Sequence, residues 1–279
     1  MELAFPITTS REFKDYAHRI RYHALNMIHR SKGSHVASAF SSAELLAVLY
    51  GKILRIDPAR PDWPRRDRFI LSKGHACAGL YVALAERGFF PRQWLDTYAL
   101  NGSHLAGHVT HFNVPGVEAS TGSLGHGLPI ACGMSLAGKY DSSEYRVFVL
   151  LGDGECDEGS VWEAAAFAAQ HALDNLVVIV DYNRVQSAGN VPDVCELEPF
   201  VAKWESFRWQ VTEVDGHRVE EIESALSRVP LASGRPSCIL AHTVKGKGVS
   251  FMEHQAVWHN RSPQGAEFEA ALEQIGAPR

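Results

Sequence analysis

The chain lacks almost everything that would assign it to a membrane, an oxidising compartment or a nucleic acid. No apolar run reaches the roughly 20 residues that cross a bilayer as a helix. The N-terminal stretch MELAFPITTSREFKDYAHRI has too short an apolar segment for a cleavable signal, and acidic residues follow at once. The five cysteines, Cys77, Cys132, Cys156, Cys195 and Cys238, are odd in number and form no Cys-x-x-Cys pair, so neither a disulfide framework nor a zinc site is indicated. Charge of one sign is also scarce: the formal net charge is −5. The densest basic stretch, Arg65, Arg66 and Arg68, is interrupted by Asp62 and Asp67 and reads as a solvated face. Internal repeats and low-complexity linkers are missing as well. What remains is a soluble protein of a reducing compartment, expected in the cytoplasm.

What is present is a chain of 279 residues, 46% of them hydrophobic, enough for one large α/β domain over 1–279. Helical and strand patterns alternate along it. Residues 10–30 form an amphipathic helix with Phe13, Tyr16, Ile20 and Ala24 on one face. Residues 41–53 form another, opened by a capping box from Ser41 to Glu44. RFIL (68–71) is a short strand, a helix runs from Gly74 to near Gly88, and the Gly- and Ala-rich residues 122–139 read as a closely packed helix. The strong strands are RVFVLL (146–151), LVVIVD (176–181) and SCILAHT (237–243), with WQVTEV (209–214) a fourth. The Ala-rich EGSVWEAAAFAAQHAL between the first two is a helix. Apolar strands separated by helices imply a parallel sheet flanked by helices on both faces. In such folds ligands bind at the carboxyl ends of the strands.

Two motifs fall at those ends. Gly152-Asp153-Gly154 follows the strand RVFVLL, and its glycines let backbone N–H groups approach an anion while Asp153 offers a hard oxygen to a cation. Asp181-Tyr182-Asn183-Arg184-Val185 follows the next strand, where Asn183 offers a neutral oxygen and a main-chain carbonyl just beyond can add another. Taken singly, each motif is an ordinary turn. Two adjacent parallel strands joined by one helix set Asp153 and Asn183 side by side, which suits a magnesium diphosphate.

This pairing resembles the thiamine diphosphate fingerprint. Four blocks, SKGSHVASAFSSAEL (31–45), DRFILSKGHACAGLY (67–81), GHVTHFNVPGVEASTGSLGHGL (107–128) and LLGDGECDEGSVWEA (150–164), resemble the N-terminal half of transketolase in order and spacing, within a similarity running from about residue 15 to 265. The resemblance implies the diphosphate-binding domain of that fold, with thiamine diphosphate and Mg2+ as cofactors. Asp153, Asn183 and the carbonyl of Val185 would hold the metal, with Gly154 and His75 on the diphosphate. Gly122, Ser123 and Leu124 would line the cofactor. His35 and His108 would reach the substrate channel, joined by His259, with His254 as the alternative. Glu158 matches an interface acid in a carboxylate relay between active sites. Among the fourteen histidines, His23, His29, His104, His111 and His171 read as ordinary core or surface residues and His217 as a structural turn.

The chain departs from full-length transketolase where His126 replaces a Gln, where the C-terminal loop is shifted in register, and where it stops. The pyrimidine-binding domain, with the glutamate that activates the cofactor, does not follow Arg279. The start at Met1 and a closing helix around 263–275 lead us to expect a whole gene product, the N-terminal subunit of a split transketolase in an α2β2 assembly with a C-terminal partner. The implied activity is transfer of a two-carbon ketol unit from a ketose to an aldose, or between their phosphates. Three other readings stay open on sequence: the α-subunit of a 2-oxo-acid dehydrogenase, deoxyxylulose phosphate synthase, and a non-catalytic interaction module on the same fold.

Overall fold

A computed structural model describes residues 6–278. Helix α1 (Ser10–Ser31) opens with a capping box at Thr9 and Glu12: the Thr9 hydroxyl accepts the Glu12 N–H at 3.3 Å, and the Glu12 carboxylate accepts the Thr9 N–H at 2.9 Å. It buries Phe13, Tyr16, Ile20 and Ala24, as its periodicity predicts. The capping box expected at Ser41 and Glu44 does not form. Helix α2 (Val36–Ser41) begins earlier, and Ser41 donates instead to the carboxylate of Asp181 at 2.6 Å. Helix α3 (Ala43–Val48) carries Glu44 into the interior, and a π-turn over Leu49–Ile53 ends this helical run. Long-range charge pairing there overrides the local cap.

Strand β1 (Arg68–Leu71) leads through a short 3-10 turn into α4 (Cys77–Glu86), which stops before Gly88 at φ +85°. Helix α5 (Gly127–Tyr140) is shorter than the predicted 122–139, because Gly125 takes φ +79° and residues 122–126 form a loop. Strand β2 (Val147–Gly152), α6 (Gly159–Gln170) and β3 (Leu176–Tyr182) make the expected βαβ unit. A hairpin of β4 (Val185–Gln186) and β5 (Gly189–Asn190) follows, then α7 (Val191–Val194) and α8 (Phe200–Ser206). Strand β6 (Gln210–Asp215), α9 (Val219–Ser227), β7 (Ser237–His242) and α10 (Ala266–Ile275) complete the chain.

The main sheet is wholly parallel, in the order β1-β2-β3-β7-β6. Its central strands are buried on both faces, so they read as unbroken apolar runs. Phe148 and Leu150 of β2 face one core, shared with α1, α3 and α4. Val147, Val149 and Leu151 face the other, shared with α5, α6 and α8. The register pairs Gly152 with Asp181 and Tyr182 with His242, so three strands end at one level. The basic stretch is not a solvated face: Arg66 and Arg68 both pair with Glu118, which anchors the loop before β1. Among the described residues no helix is long and apolar enough to cross a membrane.

One buried ion pair fastens the helical layer to the loop after β7. The Glu44 carboxylate accepts from Arg21 at 2.7 Å and from His217 Nδ1 at 3.0 Å. His217 Nε2 accepts the Val244 N–H at 2.8 Å, which fixes its tautomer. Burial alone would raise the Glu44 carboxyl, but Arg21 and His217 outweigh it and hold it at about 2 against an ordinary 4.5. Glu44→Ala, which strands Arg21 in the interior, should cost about 3–5 kcal/mol in urea unfolding. Because the folded value is depressed, Glu44's contribution is complete above about 4.5 and fades as pH falls from there towards about 2. The stability gap between wild type and Glu44→Gln should therefore narrow across that window.

Candidate functional site

The strand ends are organised around Asp181, the last residue but one of β3, whose carboxylate is fully buried. It accepts hydrogen bonds from the Lys73 ammonium, from Ser41 and from Thr243. Burial would raise its carboxyl, yet Lys73 and the two hydroxyls prevail and keep it below the usual carboxylate range. This contact draws the Lys73-Gly74-His75 segment, helix α2 and the Thr243–Lys245 segment onto one point. Gly74 must approach closely: a Cβ there would stand 2.5 Å from the carbonyl oxygen of Thr121.

Beside Asp181 lies a second carboxylate. Asp153, 2% exposed, accepts the N–H groups of Gly154 at 2.8 Å and of Arg184. Burial, with the negative charge of Asp181 added, pushes it up to about 6. The side-chain oxygen of Asn183 accepts the Val185 N–H at 3.1 Å. The Val185 carbonyl in turn accepts the ammonium of Lys245 at 3.0 Å. Burial, then the charge of Lys73, lowers Lys245 to about 8.

Four imidazoles line the same cavity of about 310 Å3. The His35 ring centroid lies 5.0 Å from His75, 5.7 Å from His108 and 5.3 Å from His259. The backbone of His35 is left-handed at φ +69°, and its N–H donates to the His259 carbonyl at 3.1 Å. Burial leads the depression of each of three titrations: His35 to about 4, His259 to about 3, and His75 well below its ordinary value. At neutral pH these three rings are neutral, each with one donor and one acceptor nitrogen. The buried Nδ1 of His259 and the buried hydroxyl of Ser38 find no partner among the described residues.

Residues 13–277 match the family profile described as transketolase, thiamine diphosphate binding domain. The chain belongs to the transketolase family. It is 40% identical over 255 residues to an apulose-4-phosphate transketolase subunit of Phocaeicola vulgatus, covering 91% of this chain and 90% of that one. It is 41% identical over 264 residues to the 6-deoxy-6-sulfo-D-fructose transketolase subunit SqwG of Clostridium sp., covering 95% and 96%. The solved transketolase of Campylobacter jejuni superposes with a TM-score of 0.89 at 29% identity, covering 97% of this chain and 43% of that one. This chain therefore spans about two-fifths of the length of that solved transketolase.

Seen as a transketolase, the chain brings most of the predicted residues together. His35, His75, His108 and His259 line the cavity, as do Gly122 and Leu124. So do Asp153, Gly154, Asn183 and Val185. Two predicted site residues, Ser123 and Glu158, fall outside it. Ser123 is exposed, and Glu158 is the exposed residue at the head of α6, where its side chain packs on Gly125. His254, the alternative to His259, lines a neighbouring cavity with Arg184 and His242. Lys73, Lys245 and Glu155 are not singled out by the sequence, yet all three line the cavity. A signal for the lysines is there, since each directly precedes a glycine shortly after a strand. Gly74→Ala should force the Thr121 carbonyl away from residue 74, lowering stability in urea by about 1–3 kcal/mol.

Proposed function

We propose that this chain is the diphosphate-binding subunit of a two-polypeptide transketolase, which moves a two-carbon ketol unit between ketose and aldose sugars or their phosphates. The observation that carries this is the meeting, in one cavity, of a metal-ready strand end and a wall of neutral histidines. The residues suit the group. Asp153 is raised by its burial and then by the charge of Asp181, so a divalent cation would relieve it, and the Lys245 ammonium already stands as a cation on the Val185 carbonyl. No three His, Cys, Asp or Glu side chains converge as a metal cluster among the described residues. A cation held here therefore draws on one carboxylate, the Asn183 amide, the Val185 carbonyl and the diphosphate itself. That donor set fits Mg2+.

When bound, thiamine diphosphate supplies the carbon nucleophile and electron sink for ketol transfer. The chain's own residues hold and orient. Gly154 and His75 would hold the diphosphate, with Lys73 and Lys245 beside them to offset its charge. The Gly122–Leu124 segment supports the rings. His35, His108 and His259 would orient sugar hydroxyls and stabilise negative charge on oxygen, the neutral rings of His35 and His259 donating from one nitrogen and accepting at the other. A wall of this kind favours a polyhydroxylated substrate over the acyl donor of a 2-oxo-acid dehydrogenase. The relatives of similar length are named as subunits of transketolases, which supports a C-terminal partner bearing the pyrimidine-binding domain, in an α2β2 assembly with Glu158 at the interface. Five unpaired cysteines accord with a cytoplasmic setting.

The reading is tested by capturing the tagged chain from its native cell and assaying ketol transfer with thiamine diphosphate and Mg2+. A co-purifying partner, with activity only in the mixture, is expected; a chain that comes down alone and inert would overturn it. Asp153→Ala in that complex should weaken Mg2+-dependent cofactor binding by more than about 100-fold in calorimetry, beyond the usual loss for an outer-shell change. His75→Ala should weaken cofactor affinity more than it alters sugar preference.

A further inference from the structure

We propose that Glu155 is a positioning residue for the cofactor cavity: its carboxylate locks the loop from Thr121 to Gly127 onto the ends of β1 and β2. Glu155 follows the Gly152-Asp153-Gly154 turn and is 2% exposed. One carboxylate oxygen accepts from the Ser72 hydroxyl and from the Gly125 N–H at 2.9 Å. The other accepts the Gly152 N–H at 3.0 Å. The Ser72 hydroxyl passes the link on, accepting the Gly127 N–H at 3.1 Å. A single side chain thus joins three segments that each build a wall of the cavity: the one leading to Lys73 and His75, the one leading to Asp153, and the loop bearing Gly122 and Leu124.

The loop is held at both ends. At its start, the Thr121 hydroxyl donates to the Leu71 carbonyl at 2.6 Å. At its end, Ser160 adds to the Glu155 clasp, its hydroxyl donating to the Gly125 carbonyl at 2.8 Å. The fit there leaves no slack: a Cβ on Gly127 would come within 2.3 Å of the Ser72 hydroxyl, and one on Gly125 within 2.5 Å of the Ser160 hydroxyl. Glu155 therefore closes a loop that Thr121 opens, and Gly122 to Leu124 are fixed between the two. The chemistry asks for a carboxylate specifically. Each oxygen faces a backbone N–H, so an amide in either orientation would aim its NH2 at a donor. Aspartate, one methylene shorter, cannot span the same three partners. The oxygens are spent on protein donors, so Glu155 acts through the loop and not on the ligand.

The functional consequence rests on the thiamine diphosphate reading, whereas one arm of the test does not. Hydrogen–deuterium exchange on the full chain, without cofactor, should show Glu155→Gln speeding exchange of residues 122–128 by about tenfold, the scale of one lost charge-assisted hydrogen bond. Peptides from β3 and β7 should stay within about twofold. Ser72→Ala, which removes one arm and no charge, should accelerate the same segment less, and it serves should Glu155→Gln fail to fold. In calorimetry with Mg2+ and thiamine diphosphate, Glu155→Gln should weaken cofactor binding about tenfold. Unchanged exchange in 122–128, or acceleration spread evenly over the sheet, would overturn the positioning role. If wild type itself bound no cofactor while the exchange result held, the cofactor reading would fall and the clasp would stand.

Discussion

The site depends on the burial of one charge. Asp181 has no access to water, and an ionised carboxylate in that position persists only if donors of the protein replace its hydration. Lys73, Ser41 and Thr243 do so, and they arrive from the segment after β1, from α2 and from the segment after β7. Satisfying one carboxylate therefore sets the relative positions of three segments that have no sequence proximity. His75 and Lys245 are carried into place by their neighbours in this arrangement, while Lys73 reaches further to the Ser38 carbonyl beside the His35 segment. Asp181 stands behind the cavity lining, yet its charge adds to burial in raising Asp153 next to it.

Burial also divides the labour between charged and neutral groups. Lys73, Lys245 and Asp153 line the cavity, and Asp181 behind them accepts the Lys73 ammonium. Three of the imidazoles, His35, His75 and His259, are kept uncharged by the same desolvation. A diphosphate and a sugar make opposite demands, compact charge for one and reversible donor–acceptor pairs for the other. The cavity meets both because two lysines and three neutral imidazoles share its lining.

The sheet and the Asp153–Asn183 pairing were legible because apolar runs mark buried parallel strands, and whatever follows such a strand must sit at the site. The errors have a common cause. Ser41 and Glu44 carry a good local capping pattern, but each is claimed by a distant buried partner, Asp181 or Arg21. Residues 122–126 adjoin the Gly- and Ala-rich helix and read as its first turn, but Gly125 takes φ +79°, and a Cβ there would meet Ser160 and Glu158. Lys73, Lys245 and Glu155 were missed because buried charge is legible only once its partners are known, and those partners lie far away in sequence.

The left-handed backbone of His35 has a consequence for how variants there must be interpreted. A residue with a Cβ carries a strain cost at that conformation, which glycine escapes and asparagine tolerates better than most. An alanine scan at this position would thus mix two quantities: the loss of an imidazole, and a changed preference of the main chain that also holds the His259 carbonyl. Anyone re-tuning sugar choice through this wall would do better to start libraries at position 35 from Asn and Gly. At His108 and His259, where φ is negative, side-chain chemistry can be varied alone.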